Sequence, residues 1–165
     1  MARTSARLAG VRLLVLDVDG VLTDGLLYYG ARGEQLKVFH VRDGYGIRQV
    51  QCAGITVAVI SGRESAAVRR RCRDLGIRHV HQGVEDKLPV LQALLQRLRI
   101  PATACACVGD DTPDVPLLKA VGVSFAVHDA HADALRAAHH VTRSSGGHGA
   151  VREVCDALLA ARTRR

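Results

Sequence analysis

Polar side chains that can do chemistry follow short apolar segments of this sequence, at the points where those segments end. In chain order these residues are Asp17, Asp19, Ser61, Lys87, Asp110, Asp111 and Asp114. In an open parallel sheet, ligands bind outside the carboxyl ends of the strands. If the apolar segments are parallel strands, these side chains therefore meet at one edge of the sheet.

The carboxylates among these residues predict a metal site. Asp17 and Asp19 are two residues apart, so both side chains lie on the same side of an extended chain. Carboxylates held close together repel each other, and the pKa of one must rise unless a cation compensates. Asp110 and Asp111 add to the cluster, and a hard divalent cation such as Mg²⁺ prefers oxygen ligands of this kind.

Lys87 and Ser61 add what carboxylates cannot supply, a positive charge and a hydroxyl donor for phosphate oxygens. A metal ion, an aspartate nucleophile, a lysine and a serine hydroxyl are the parts that phosphoryl transfer requires, since catalysis there depends mostly on positioning and charge stabilisation. A single aspartate at a strand end is more often a helix N-cap. Four such positions in one chain favour a phosphoryl-transfer site instead.

The segments between these residues predict an α/β fold. Short apolar runs alternate with amphipathic stretches, which is the pattern of βα units around a parallel sheet. The predicted strands are residues 11–16, 56–60, 79–81, 104–108 and 123–127. The predicted helices are residues 44–53, 64–75, 85–98, 113–121, 130–138 and 150–161. We expect one domain over residues 1–165, built on a doubly wound, Rossmann-like parallel sheet.

Two segments depart from this alternation. Residues 24–40 predict a β-hairpin flap, whose strands at 26–29 and 35–39 flank a glycine-containing turn at 30–33. Residues 144–165 predict a C-terminal helix and tail, and the glycines near its start favour a flexible hinge.

Composition limits the class of protein and its surroundings. The chain has 165 residues, of which 48% are hydrophobic and 24% charged, as is typical of a globular domain. Its net charge is +7, but no run of basic residues is interleaved with aromatic residues, as a base-stacking surface would require. We therefore expect an anionic small-molecule partner and no nucleic acid. Five cysteines without a C-x-x-C pair, no signal-like run and no apolar run of about 20 residues predict a cytoplasmic protein with no membrane partner.

The chemistry-bearing segments resemble the four motifs of the haloacid dehalogenase superfamily. In motif order these segments are residues 17–25, Ser61-Gly62-Arg63, Lys87 and residues 109–114. Within the superfamily, three further runs are similar to the 3-deoxy-D-manno-octulosonate 8-phosphate phosphatases. These runs are residues 36–47, 71–77 and 146–155, and the likeness covers about residues 8–160. Val115 stands where that family carries Trp.

The resemblance implies a role for each motif residue. Asp17 would be the nucleophile that forms an aspartyl-phosphate, and Asp19 the acid and base. Mg²⁺ would be held by the Asp17 and Asp110 carboxylates and the Asp19 main-chain carbonyl. Ser61 and Lys87 would hold the phosphoryl oxygens. The implied activity is hydrolysis of 3-deoxy-D-manno-octulosonate 8-phosphate in lipopolysaccharide precursor biosynthesis.

The resemblance also assigns residues around this centre. Asp111 and Asp114 would surround the metal site without binding the ion, with Asp111 closer to a metal-bound water. The substrate carboxylate calls for a guanidinium, for which Arg63 and Arg71 are candidates. An arginine rather than a glutamate at position 63 favours this eight-carbon substrate over nine-carbon sugar acids.

The spacing of the motifs implies a capless subclass. Only 41 residues separate Asp19 from Ser61, and 22 separate Lys87 from Asp110, which is too few for a cap domain. The resemblance implies a homotetramer with the hairpin flap packed between protomers.

Three alternatives stay open. One is a phosphatase for a related nine-carbon sugar-acid phosphate. Another is a phosphoacceptor receiver domain, although its aspartate and lysine come in a different chain order. The last is a non-catalytic oligomerisation module of the same fold.

Overall fold

The computed structural model describes residues 2–31 and 33–163, so Arg32 of the predicted hairpin turn lies outside the described residues. The strands are β1 (Leu13–Leu16), β2 (Tyr28–Gly30), β3 (Gly33–Leu36), β4 (Thr56–Ile60), β5 (His79–His81), β6 (Cys105–Gly109), β7 (Val123–Ala126) and β8 (His140–Val141). The α-helices are α1 (Ala2–Ala9), α2 (Val41–Cys52), α3 (Ala66–Asp74), α4 (Lys87–Leu98), α5 (Val115–Ala120), α6 (Ala132–Ala137) and α7 (Ala150–Thr163).

Six of these strands form one parallel sheet in the order β5-β4-β1-β6-β7-β8. The chain runs outward from β1 through β4 to β5, and then crosses back through α4 to β6 on the other side of β1. The order therefore reverses at β1, which is the position where doubly wound sheets bind their ligands. The predicted doubly wound α/β fold is confirmed.

The first strand shows why its sequence is apolar throughout. Leu13 and Val15 belong to a core cluster that includes residues of α4 and α5. Leu14 and Leu16 belong to a second cluster with residues of α2, α3 and α7. Because successive side chains of a strand point to opposite faces, a strand covered on both faces needs apolar residues at every position. All four residues of β1 are buried.

The predicted flap is an antiparallel hairpin of β2 and β3, and its strands are shorter than predicted. In the described residues between β1 and β4 the chain forms this hairpin and α2, and between α4 and β6 it forms a 3₁₀ turn at Ala102–Ala104. The part of each connection that the structure describes contains no cap domain, as the motif spacing predicts.

The sequence pattern predicts neither α1 nor β8. Helix α1 packs on α7 and turns Leu8 and Ala9 toward the core. Because these two apolar residues are too few to show a helical period, the sequence pattern does not indicate the helix. Strand β8 has only two residues. At the other end of the chain, Arg162 of α7 donates hydrogen bonds to the main-chain carbonyls of Val11 and Ala53, which ties α7 to the start of β1.

The glycine-rich segment before α7 is packed rather than a flexible hinge, which corrects the prediction for residues 144–149. The Gly146 N–H donates to Asp129 at 2.9 Å, and the Gly147 N–H donates to the carbonyl of Val21 at 3.0 Å. A Cβ atom on Gly146 would lie 1.7 Å from the carbonyl oxygen of Gly20. Glycine is therefore required at position 146 by the close approach of two backbones.

None of the helices in the described residues is both long enough and apolar enough to span a membrane.

Candidate active site

The register of the sheet brings the predicted site residues to one edge. Leu16, the last residue of β1, pairs with Val59 of β4 and Val108 of β6. The residues that follow these strands, Asp17 and Ser61 among them, therefore leave the sheet at the same level. Asp17 is fixed there by a hydrogen bond from its N–H to the carbonyl of Val108, at 3.2 Å.

A buried lysine joins two carboxylates at this edge. The Lys87 Nζ donates to Asp17 Oδ1 and to Asp114 Oδ1, each at 2.7 Å. All three residues are at most 8% exposed. Lys87 is the first residue of α4, and the Asp86 side chain caps that helix by accepting the Leu88 N–H.

Asp114 is held from its other side by the backbone after β6. Its Oδ2 accepts the N–H groups of Asp110 and Asp111, at 3.0 and 3.4 Å. The loop after β6 is therefore fixed to the same carboxylate that contacts Lys87. The motif-one loop lies directly against it, because a Cβ on Gly20 would be 2.0 Å from Asp110 Oδ2 and Gly20 has a φ of +89°.

Burial and mutual repulsion perturb the pKa values of these groups. Burial, with the added charge of Asp114, raises the pKa of Asp17 to about 6 despite the opposing effect of Lys87. Burial and the charges of Asp17 and Asp114 raise the pKa of Asp110 to about 8. Burial alone would lower the pKa of Lys87, but its two carboxylate partners outweigh burial and raise it.

These carboxylates fit a divalent cation. Within residues 2–31 and 33–163, Asp17, Asp110 and Asp114 offer oxygen atoms that all lie within 4.8 Å of one another. Burial and repulsion disfavour three negative charges beside a single lysine, and a cation with oxygen ligands removes that conflict.

Asp111 and Asp114 lie in different positions beside the site. Asp111 is not part of the carboxylate cluster of the described residues, and its exposed side chain accepts the Thr112 N–H at 2.6 Å, so its contact with a metal-bound water stays a prediction. Asp114 lies inside the cluster and is buried. The 3₁₀ turn at Thr112–Asp114 rotates the chain between these two residues. The Asp111 carboxylate therefore caps the turn, and the Asp114 carboxylate points to Lys87.

Among the described residues, two cations lie beside Asp19. Its Oδ1 contacts the Nζ of Lys37, and its Oδ2 lies 3.8 Å from the Nε of Arg63. Arg63 also donates to the hydroxyl of Tyr29 in β2, at 3.0 Å. The sequence prediction includes Arg63 but misses Lys37 and Tyr29. The available signal is the alternation in Leu36-Lys37-Val38, which places the lysine on the opposite face of the hairpin from its apolar neighbours.

A cavity of about 480 Å³ opens over this site. It is lined by Asp17, Asp19, Ser61, Gly62, Arg63, Val84, Glu85, Lys87, Asp110, Asp111, Pro113 and Asp114. The structure thus brings all the predicted site residues to this cavity except Arg71.

Arg71 lies elsewhere, at the contact between α3 and α2. Its guanidinium is 5.9 Å from the centre of the Phe39 ring, and a Cβ on Gly44 would lie 2.3 Å from its Nη2. The interaction with Phe39 and α2 accounts for this arginine within one chain. Within one chain, the geometry therefore offers Arg63 to a ligand in the cavity, and a substrate-binding role for Arg71 stays a prediction.

The fold and the site define a class of enzyme. An α/β sheet that presents Asp-x-Asp after β1, a serine after β4, a lysine at the start of α4 and carboxylates after β6 is arranged for metal-assisted phosphoryl transfer. In agreement, the model of the haloacid dehalogenase-like hydrolase family matches residues 77–154.

Comparison with known proteins narrows the class. The chain is 52% identical over 160 residues to a 3-deoxy-D-manno-octulosonate 8-phosphate phosphatase of Escherichia coli (strain B / BL21-DE3), covering 97% of this chain and 85% of the relative. A solved structure of the phosphatase of the same name from Yersinia pestis has a TM-score of 0.94 and 49% identity, covering 97% of this chain and 86% of the other. A solved structure of the phosphatase of the same name from Moraxella catarrhalis, in complex with a magnesium ion, a phosphate ion and a KDO molecule, has a TM-score of 0.96 and 38% identity. The match covers 99% of this chain and 94% of the other. The chain belongs to the 3-deoxy-D-manno-octulosonate 8-phosphate phosphatase family of haloacid dehalogenase-like hydrolases.

Proposed function

We propose that this protein hydrolyses 3-deoxy-D-manno-octulosonate 8-phosphate to the free sugar acid and inorganic phosphate, with Mg²⁺ as cofactor, in lipopolysaccharide precursor biosynthesis. The observation that carries the proposal is the buried contact of Lys87 with Asp17 and Asp114 beside Asp110, on the floor of a cavity. The names of its relatives and the ligands of the Moraxella catarrhalis structure support the same substrate and metal.

The mechanism assigns two steps to Asp17 and Asp19. In the first, a carboxylate oxygen of Asp17 forms a bond to phosphorus while the bond from phosphorus to the sugar oxygen breaks, and Asp19 gives its proton to that oxygen. In the second, Asp19 takes a proton from water, whose oxygen attacks phosphorus and releases the Asp17 carboxylate and phosphate. Ser61 and Lys87 hold the phosphoryl oxygens throughout, because a hydroxyl and an ammonium group stabilise their redistributed charge.

Mg²⁺ would be held by the carboxylates of Asp17 and Asp110 and by the main-chain carbonyl of Asp19. When bound, the ion supplies positive charge that neutralises the carboxylates and polarises the phosphoryl group. Asp114 positions Lys87 and the Asp110 backbone, through the hydrogen bonds described above. Arg63, whose side chain is 42% exposed at the cavity, is the proposed partner of the substrate carboxylate.

A panel of phosphate esters tests this function. Phosphate release would be measured from 3-deoxy-D-manno-octulosonate 8-phosphate, a nine-carbon sugar-acid phosphate and a neutral sugar phosphate, each with Mg²⁺ and with EDTA. We expect kcat/KM for the eight-carbon substrate to exceed the others by at least about tenfold, and EDTA to abolish release. A higher value for the nine-carbon ester would contradict the substrate, and a lasting phospho-aspartate without turnover would favour a receiver domain.

We propose further that the protein forms a homotetramer in which the hairpin packs between protomers. Leu26 and Tyr29 are 60% and 63% exposed, and Leu36, Val38 and Val41 are exposed as well. Large exposed apolar side chains concentrated in and beside one short hairpin favour an interface between subunits.

We propose a cytoplasmic location as well. The free thiols of the five cysteines, four of them buried, support it.

The solution mass tests the assembly. At micromolar concentration, light scattering should give about four times the 17.7 kDa of one chain. Leu26→Glu places a charge in the proposed interface and should lower this mass, whereas Val141→Glu, on the exposed edge strand β8, should leave it unchanged. A monomer formed by the unaltered chain would refute the assembly.

A further inference from the structure

Where β3 ends, the extended chain of the hairpin turns a lysine inward and the apolar residues on either side of it outward. Leu36 and Val38 are 53% and 51% exposed, whereas Lys37 between them is 7% exposed. The usual pattern of a half-buried strand is the reverse, with apolar side chains inside and charged ones in solvent. The inward lysine therefore calls for an explanation other than packing.

Lys37 contacts a residue of the site. Its Nζ contacts Asp19 Oδ1, and the side chain is 2% exposed at that contact. Burying an ammonium group is costly unless it is paired, so the position of Lys37 depends on this carboxylate. In turn, the Asp19 carboxylate, which is 21% exposed at the cavity, has one oxygen fixed by the hairpin.

The second oxygen of Asp19 is linked to the hairpin as well. Arg63 lies 3.8 Å from Asp19 Oδ2 and donates to the Tyr29 hydroxyl in β2. Both cations at Asp19 thus connect it with the hairpin, Lys37 directly and Arg63 through Tyr29. A carboxyl group that rotates freely would often adopt orientations from which it cannot reach the departing oxygen. Precise placement of catalytic groups accounts for a large share of the rate acceleration by enzymes.

We propose that Lys37 is a positioning residue that holds the Asp19 side chain in the orientation for proton transfer to the departing sugar oxygen, so that the hairpin takes part in the chemical step. This inference rests on the proposed function for the role of Asp19. It assigns the hairpin a role within its own subunit, in addition to any role in assembly.

A positioning role for Lys37 predicts that the effect of its loss depends on the leaving group, whereas a purely structural role does not. An alkyl oxygen leaves as a strong base and needs a proton in the transition state, whereas 4-nitrophenolate leaves without one. General acid catalysis typically contributes about 10²- to 10⁴-fold. Loss of Lys37 should therefore slow an alkyl phosphate much more than 4-nitrophenyl phosphate, while a loosened hairpin or a disturbed metal site would slow both alike.

The experiment compares Lys37→Met, Lys37→Gln and Lys37→Arg, with Lys119→Met on the exposed face of α5 as the matched control. For each variant, kcat and KM would be measured with 3-deoxy-D-manno-octulosonate 8-phosphate and with 4-nitrophenyl phosphate. We expect Met and Gln to lower kcat for the sugar phosphate about 10- to 100-fold with KM within about threefold, and to lower kcat for the aryl ester less than about threefold. Arg should recover most of the loss, and the control should match the unaltered protein.

The opposing outcomes are distinct. An equal fall in kcat with both substrates, or no fall with either, would overturn the role of Lys37, and the Gln and Arg variants give this answer even if the Met variant does not fold. If the unaltered protein rejects the eight-carbon substrate but hydrolyses another alkyl phosphate, the proposed substrate fails while Lys37 is still tested with that alkyl ester.

Discussion

Replacing Asp17 with Asn is expected to lower kcat by at least about a thousandfold, because an amide cannot form the phospho-enzyme bond and the covalent route is lost. The substitution removes a charge and almost no volume. Since burial and the charge of Asp114 already raise the pKa of Asp17 to about 6, a neutral side chain suits the position in the metal-free protein. The Asn oxygen still accepts from Lys87, and we expect a Tm equal to or above that of the unaltered protein in EDTA.

Phosphate release and thermal unfolding together test this expectation. Asp74→Asn, at the exposed end of α3, makes the same chemical change far from the cavity and should leave both quantities unchanged. Retention of more than about a thousandth of the original turnover by the Asp17 variant would argue that another group attacks phosphorus. A large drop in Tm would instead show that the carboxylate is needed for folding.

Replacing Lys87 with Met is expected to damage both stability and activity. Lys87 is 5% exposed and contacts Asp17 and Asp114, so its removal leaves buried carboxylates without their cation. Breaking a buried pair in this way typically costs about 3 to 5 kcal/mol, or about 10 °C in Tm for a chain of this size. Activity should fall at least about a hundredfold, because one charge that stabilises the phosphoryl oxygens is lost.

The loss of stability should grow with pH. Without Lys87, the pKa of Asp17 rises further above its unfolded value, since the cation that lowers it is gone. The folded state then holds protons that the unfolded state releases, so the free energy of unfolding decreases as pH rises. Unfolding in EDTA at pH 5 and pH 8 should therefore show a larger difference from the unaltered protein at pH 8.

A second substitution separates the two effects of Lys87. In Lys87→Met combined with Asp114→Asn, one unpaired charge is removed, and the amide oxygen can still accept the Asp110 N–H. Part of the lost Tm should return while activity stays low, which is the coupling expected of two residues in contact. Full activity in either variant, or no recovery of Tm in the double variant, would contradict the roles given to this pair.

The sequence by itself determined the sheet and the edge at which the site lies. The apolar runs ending at Leu16 and Ile60 are local properties of the chain, and the rule that parallel strands present their carboxyl ends together then places Asp17 and Ser61 side by side. Chain order also separated this chain from receiver domains, because Lys87 precedes Asp110. Short apolar runs, strand periodicity and motif order can all be recognised in the sequence, because none of them depends on a long-range contact.

The tertiary structure decided what depends on residues far apart in the chain. Alternation shows that Lys37 faces away from Leu36, but only the placement of the hairpin beside the loop after β1 directs it to Asp19, 18 residues earlier. Arg71 and Arg63 are equally plausible guanidinium groups in the sequence, and the packing of α3 on α2 sends only Arg63 to the cavity. Spacing cannot fix such contacts, because each depends on the relative placement of elements whose packing is set by the whole core.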